Sequence, residues 1–183
     1  MSIERIETPR LILRRFRLSD VDDFYYYNSK AAVCHYMSFK PHESREESER
    51  IIKNLMSPEH WALEHREDGI VMGVISLKKS IRLAPHCAEL GYTMSDEYWG
   101  EGLMQEAARA LFTAAFDETD LVQIDIKVNP ENQRSVKTMR ALGFHEEGLV
   151  RRAIFNQEGQ GVDALFGSLT KAEWQAQRAR DKS

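Results

Sequence analysis

The sequence predicts an α/β or α+β sandwich built on a mixed sheet. Three observations carry this. Two helical stretches stand near the start, a hairpin meander fills the middle, and helices alternate with strands in the second half. The element order reads β-α-α-β-β-β-α-β-α-β-β.

Arg10 to Phe16 reads as the opening strand, with Leu11-Ile12-Leu13 flanked by arginines after the Thr8-Pro9 break. Ser19 or Asp20 caps a helix that runs to about Asn28. Tyr25, Tyr26 and Tyr27 cannot all face one core from a helix, so at least one is expected to look into a groove. Met37 to His42 is a loop. Ser44 and Glu47 form a capping box for a second helix, which ends at Met56 before Ser57-Pro58. Trp61 to His65 alternates apolar and polar residues, and Glu67-Asp68-Gly69 turns the chain. Ile70 to Leu77 is a long apolar strand interrupted by Gly73. After Ala84-Pro85, Cys87 to Met94 puts Ala88, Leu90 and Tyr92 on one face and Glu89, Gly91 and Thr93 on the other.

The period then turns helical from Gly100 to Phe116, with Leu103, Ala107, Leu111 and Ala114 in step. Gln123 to Val128 alternates as a strand. Asn132 to Leu142 is helical, with Val136, Met139 and Leu142 inward and Gly143 at its stop. His145 to Arg152 and Asp163 to Leu169 close the sheet around a turn at Asn156 to Gly161. Lys171 to Arg180 is a short polar helical tail.

The 183 residues carry a net charge of −4. A chain of this length buries about 70% of the surface its unfolded form exposes, so it needs neither disulfide nor metal to fold. No repeat or linker divides it, and residues 1–183 read as a single domain with its core at residues 8–170. The acidic balance argues against nucleic-acid binding. No apolar run approaches the ~20 residues of a membrane span, and the first residues lack a signal peptide's apolar segment. A cytoplasmic location is the expectation. Cys34 and Cys87 are expected to be reduced, buried thiols, and the scattered histidines show no metal spacing, so no metal is expected.

The sharpest motif is Tyr98-Trp99-Gly100-Glu101-Gly102-Leu103-Met104, a glycine-rich turn between a strand and a helix. It reads either as a plain helix start or as an anion site, in which first-turn N–H groups and the helix dipole meet a phosphate. No Gly-Lys-Ser or Gly-Lys-Thr follows, which excludes a P-loop. The preceding strand ends a meander, which does not suit a dinucleotide fingerprint. The second motif is Asn129-Pro130-Glu131-Asn132-Gln133-Arg134-Ser135, leading to Ala141-Leu142-Gly143-Phe144. Asn132 caps the helix, and Ser135 lies on its first turn.

Together these residues resemble the Gcn5-related N-acetyltransferase (GNAT) superfamily, and within it the ribosomal-protein-serine/alanine N-acetyltransferase branch. Ile6 to Arg14 resembles the branch's opening strand, Ala88-Glu89-Leu90-Gly91-Tyr92 its fourth strand, and Tyr98 to Gly102 with Glu106-Ala107 its pyrophosphate loop. Asn132 to Ser135 with Leu142-Gly143-Phe144 resembles its late helix. The likeness covers nearly the whole chain in order.

The resemblance implies a mixed seven-stranded sheet, splayed between its fourth and fifth strands, with helices on both faces. Acetyl-CoA would wedge into the V as the acyl donor. Its pantetheine arm would pair with the backbone of Tyr92, Thr93 and Met94, and its pyrophosphate would sit on the N–H groups of Trp99, Gly100, Glu101, Gly102, Leu103 and Met104. Asn132 would hydrogen-bond the cofactor and Ser135 would lie near the thiol. The segment from Tyr25 to Phe39 would cover the acceptor site. Two positions depart from the wider superfamily. Met104 stands where Gly or Ala is common and is expected to narrow the loop. Met139 stands where many members carry a tyrosine general acid, a role that passes to Ser135, to water or to nothing.

Direct transfer needs a neutral amine, a polarised carbonyl and a protonated leaving thiolate. Glu89 is the expected base, acting through water, against the plainer reading of a structural salt bridge. Ser135 is the candidate acid. His86 is close enough in sequence to Glu89 to aid proton traffic, against the plainer reading of a loop residue. The leading function is transfer of acetyl to a primary amine, either a protein N-terminus, such as a ribosomal protein's, or a small molecule. Two alternatives are a catalytically weak acyl-CoA-binding module and a nucleotide-binding α/β domain unrelated to CoA. The acidic balance favours a cationic acceptor, and the late strands could pair two copies into a homodimer.

Overall fold

The computed structural model describes residues 3–80 and 85–181; Met1, Ser2 and Ala84, on which parts of the reading above fall, lie outside them. The opening strand is broken in two. Thr8 N–H donates to the Leu11 carbonyl at 2.9 Å and Leu11 N–H returns a bond to the Thr8 hydroxyl at 2.9 Å. This tight turn folds β1 (Arg5–Glu7) back on β2 (Leu11–Arg14), with Arg5 opposite Arg14.

A 3₁₀ turn at Leu18–Asp20 leads into α1 (Val21–Asn28). Asp20 does not cap it by its side chain. Its carboxylate instead accepts from Arg14 at 2.8 and 2.9 Å and from Arg17 N–H at 2.8 Å. A short helix, α2 (Ala31–Cys34), follows, where the sequence showed no period. In α3 (Arg45–Leu55) half of the expected box is present: the Ser44 hydroxyl accepts from Glu47 N–H at 3.2 Å, but the Glu47 carboxylate accepts from Glu43 N–H at 2.9 Å rather than from Ser44.

The meander comprises β3 (His60–His65), β4 (Val71–Lys79) and β5 (Cys87–Met94). Then come α4 (Leu103–Glu118), β6 (Gln123–Val128), α5 (Gln133–Ala141), β7 (His145–Phe155), β8 (Gly161–Thr170) and α6 (Lys171–Arg180). Among the described residues eight strands form one sheet in the order β1-β2-β3-β4-β5-β6-β8-β7. The count is one more than expected, because the opening strand is split.

Period-2 alternation feeds a core on each face. On β3, Trp61 and Leu63 join the cluster under α4, α5 and α6, whereas Ala62 joins Phe24, Tyr27 and Ile52 from α1 and α3. The tail helix is polar in composition, but its Trp174 is 2% exposed and meets Phe112 of α4 edge-on at 5.6 Å. Burial of an aromatic this size stabilises the docking of α6 by about 2–3 kcal/mol. Cys34 is buried, while Cys87 is only partly so, at the start of β5; both are free thiols. No helix among the described residues is long and apolar enough to cross a membrane.

The feature that positions the site lies between β5 and β6. They pair in parallel from Cys87 opposite Gln123 to Leu90 opposite Ile126, and no further. From Gly91 on, β5 bonds only to β4; from Lys127 on, β6 bonds only to β8. The sheet therefore splays where a gap was expected, between the fifth and sixth strands once the split is counted.

Candidate active site

The gap opens into a cavity of about 480 Å³. One wall is Tyr92, Thr93 and Met94 at the end of β5, and another is Trp99 to Gln105 at the head of α4. Asn132, Arg134, Ser135, Lys137 and Thr138 of the α5 region face them, and Ala32, Val33, Tyr36 and Met37 close one side. All eleven residues expected to meet the cofactor thus line a single cavity.

Glycine makes the α4 wall. Gly100 and Gly102 sit at φ 86° and 76°, a region costly for residues with a Cβ. Gly102 caps α4 in the left-handed conformation, and no side chain caps the helix. The first-turn amides are left without a side-chain acceptor, in the partly positive field of the helix end. The loop is held from behind. Trp99 Nε1–H donates to the Met94 carbonyl at 2.9 Å, which occupies one of the β5 backbone groups expected to meet pantetheine. Arg10 donates to the Glu101 carbonyl at 3.0 Å. The Glu106 carboxylate accepts from the Thr8 hydroxyl at 2.6 Å, from Arg10 N–H at 2.9 Å and from Arg10 Nε at 2.7 Å. Burial alone would raise the Glu106 pKa, but these donors outweigh it and hold the carboxyl below its ordinary range.

The opposite wall is set by the cap of α5. Asn132 accepts from Ser135 N–H at 3.2 Å, which fixes the first turn. Arg134 then lies 3.8 Å over the Trp99 ring, a cation–π contact across the mouth. Deeper in, the Ser135 and Tyr92 hydroxyls share a hydrogen bond of 2.7 Å. Arg134 and Lys137 have no carboxylate in ion-pair range among the described residues.

A gap floored by glycine-headed helix amides, and faced by these two cations, suits an anionic ligand with a long thin arm. The comparison with known families decides which. The family described as Acetyltransferase (GNAT) domain matches residues 10–145. The chain belongs to the GNAT family. This acetyltransferase is an enzyme that transfers an acetyl group from acetyl-CoA to an amine. It is 31% identical over 178 residues to an uncharacterized N-acetyltransferase, p20, of Bacillus licheniformis, covering 94% of this chain and 99% of the relative. It is 29% identical over 115 residues to the [ribosomal protein uS5]-alanine N-acetyltransferase of Escherichia coli, covering 63% of this chain and 59% of that one. Its fold is similar to a GNAT-family acetyltransferase from Bacillus anthracis, with a TM-score of 0.83, 24% identity, and coverage of 92% of this chain and 99% of the other.

Within the GNAT chain, some expected residues lie elsewhere. Glu89 sits one residue before the strands part and is not among the lining residues; its carboxylate lies 2.7 Å from Lys127 Nζ. His86 occupies an exposed turn at φ 62°, its carbonyl accepting from Val122 N–H at 2.9 Å. Met139, in the tyrosine's place, is wholly buried in the core. Met104 is also core-packed, at 5% exposure, so its bulk goes inward rather than across the loop.

None of the three tyrosines of α1 lines the cleft. Tyr26 donates to Glu97 at 2.7 Å and lies under the Lys30 ammonium at 4.1 Å. Tyr27 is buried, and loss of water around its phenol pushes its pKa far up. The cleft's side wall comes instead from α2 and the turn after it. That segment is tied across the gap: Tyr36 donates to the Glu131 carbonyl at 3.3 Å and Gln157 donates to the Cys34 carbonyl at 2.6 Å. The inward hydroxyl of Tyr92 and the cations Arg134 and Lys137 went unassigned in the sequence. The i, i+3 spacing of the two cations, on a helix with Ser135 already inward, was a signal for the latter. Among the described residues no group of three His, Cys, Asp or Glu side chains is placed to hold a metal.

Proposed function

We propose that acetyl-CoA lies in the β5–β6 gap and that its acetyl group passes directly to the N-terminal α-amine of a protein, a ribosomal protein foremost. The observation that carries this is the end of β5–β6 pairing at Leu90 beside a helix, α4, that no side chain caps. The freed edge of β5 offers hydrogen bonds to an extended amide arm, as an added strand would. The amides of the loop and first turn of α4, from Gly100 to Met104, take the diphosphate; the expected Trp99 N–H is instead donated to the Asp96 carbonyl at 3.3 Å. Asn132 holds the mouth of the seat, and Arg134 and Lys137 add positive charge there. The cytoplasm is where such an acceptor and acetyl-CoA meet. A second copy would pair along β7, the outer strand, where Leu149, Val150 and Phe155 stand exposed.

In the chemical step, the backbone amides of the parted strand polarise the thioester carbonyl. Glu89, through water, takes the amine proton; its salt bridge with Lys127 holds the carboxylate in place beside the fork. Ser135 protonates the departing sulfur. A thiol is a good leaving group, so this last contribution falls at the low end of the range for general acids. The binding-only alternative loses its main support here. The missing tyrosine at Met139 is offset by two hydroxyls in the cleft, and the relatives carry the name N-acetyltransferase.

The deciding experiment is an acceptor screen at saturating acetyl-CoA, read by free-thiol release. Peptides beginning with Ala or Ser are expected to turn over, ahead of polyamines and amino sugars. Turnover with small amines alone would overturn the N-terminal reading. Glu89→Gln is expected to lower kcat near neutral pH by about 100-fold while sparing acetyl-CoA uptake; an unchanged pH–rate profile would remove Glu89 from the mechanism.

A further inference from the structure

The Tyr92–Ser135 hydrogen bond joins the two arms of the gap. Tyr92 stands on β5 two residues beyond the last β5–β6 pair, and Ser135 stands on the helix that follows β6. The bond therefore sits just past the fork, where the reactive end of a threaded thioester would arrive. Two independent restraints fix Ser135: the Asn132 cap holds its backbone, and Tyr92 holds its side chain.

A serine hydroxyl has one proton to give and two lone pairs that accept. If it spent its proton on Tyr92, it would have none for a ligand. A phenol is a far stronger acid than an alkyl alcohol, which makes the phenol the natural donor of the pair. We propose that Tyr92 is the positioning residue for leaving-group protonation: its O–H donates to Ser135 Oγ, which turns the Ser135 proton toward the sulfur of coenzyme A. This rests on the reading of Ser135 as the acid. Removal from water raises the Tyr92 pKa, ahead of the opposing influence of the neighbouring Ser135 and Thr138 hydroxyls. The phenol thus enters the step with its proton in place.

The step balances. As the tetrahedral adduct collapses, the carbon–sulfur bond breaks and sulfur leaves with the electron pair. The Ser135 proton passes to sulfur, and Ser135 Oγ takes the phenol proton. Water returns a proton to the tyrosinate, which matches the one the amine released.

The test is a double-mutant cycle with kcat, KM and CoA affinity measured for each enzyme. Ser135→Ala is expected to lower kcat about 100-fold and Tyr92→Phe about 10-fold. Added to Ser135→Ala, Tyr92→Phe should cost no more than about 2-fold further, because its effect runs through a hydroxyl already gone. Calorimetric Kd values for CoA should stay within about 2-fold of the parent, since neither hydroxyl acts before the sulfur carries charge. An equal loss from Tyr92→Phe in both backgrounds, or full activity in the single variant, would overturn the role of Tyr92 while leaving Ser135 as the acid. Full activity of Ser135→Ala would overturn both. Failure of the parent enzyme to bind CoA would overturn the acetyl-transfer reading beneath them.

Discussion

Arg134 holds together three pieces of chain at the mouth of the cleft. Its guanidinium covers Trp99, and that indole in turn grips the Met94 carbonyl. These interactions link α5, the glycine loop and the end of β5 across the cleft mouth. Arg134→Ala is expected to raise the KM for acetyl-CoA about 10-fold with kcat nearly unchanged, because the positive charge proposed to face the cofactor would serve ground and transition states alike. The effect should shrink as salt rises, and steady-state kinetics at two ionic strengths measures it. At this scale the sequence was informative where local rules apply. Asn132 and Ser135 are a cap and a first-turn residue, and both could be read from spacing alone. The Tyr92 hydroxyl could not, because its partner lies 43 residues away on another element. The Lys127 partner of Glu89 escaped for the same reason: it depends on the parallel register of two strands.

Among the elements, β4 lies close against the end of β5 at Gly73. A Cβ on Gly73 would stand 2.6 Å from the Thr93 carbonyl oxygen, which is backbone and has no rotamer to yield. Gly73→Ala is therefore expected to cost about 2 kcal/mol by forcing the strands apart. It should also weaken CoA binding, because Thr93 and Met94 are the displaced residues; thermal unfolding and calorimetry report the two effects. An unchanged melting point would mean that β4 shifts freely. The element pattern was largely legible. β5, β6 and α6 have the bounds that alternation and helical period give them. The misses are the short pieces: β1 has three residues and α2 has four, too few for any period to register. Such pieces exist because tertiary interactions hold them, as Gln157 does for the end of α2.

For the molecule as a whole, acid sensitivity has a source away from the cleft. Burial, then the charges of Lys78 and Arg15, press His60 down from 6.5 to about 4. The folded protein thus resists a proton that the unfolded chain accepts. The stability that neutral His60 contributes is complete above about pH 6.5 and drains as pH falls toward about 4, at up to about 1.4 kcal/mol per unit. Burial lowers His42 too, which adds to the same slope. Urea unfolding between about pH 7 and about pH 4.5 should show this decline, and His60→Gln should flatten it; equal slopes in the two proteins would place the acid sensitivity elsewhere. The fold class was readable because the change from meander to alternating helices leaves a mark in hydrophobic period. The splay itself leaves none, since Gly91 to Met94 alternate as a paired strand would. One consequence of the Glu106 carboxylate reaches beyond catalysis. It fastens a helix to a stretch of chain made 96 residues earlier, at Arg10. On the ribosome, the amide seat stays unbuttressed until both ends have emerged and met, a late step by the logic of distant pairings. A fused tag or a protease nick near Thr8 would therefore slacken the grip on coenzyme A without approaching it.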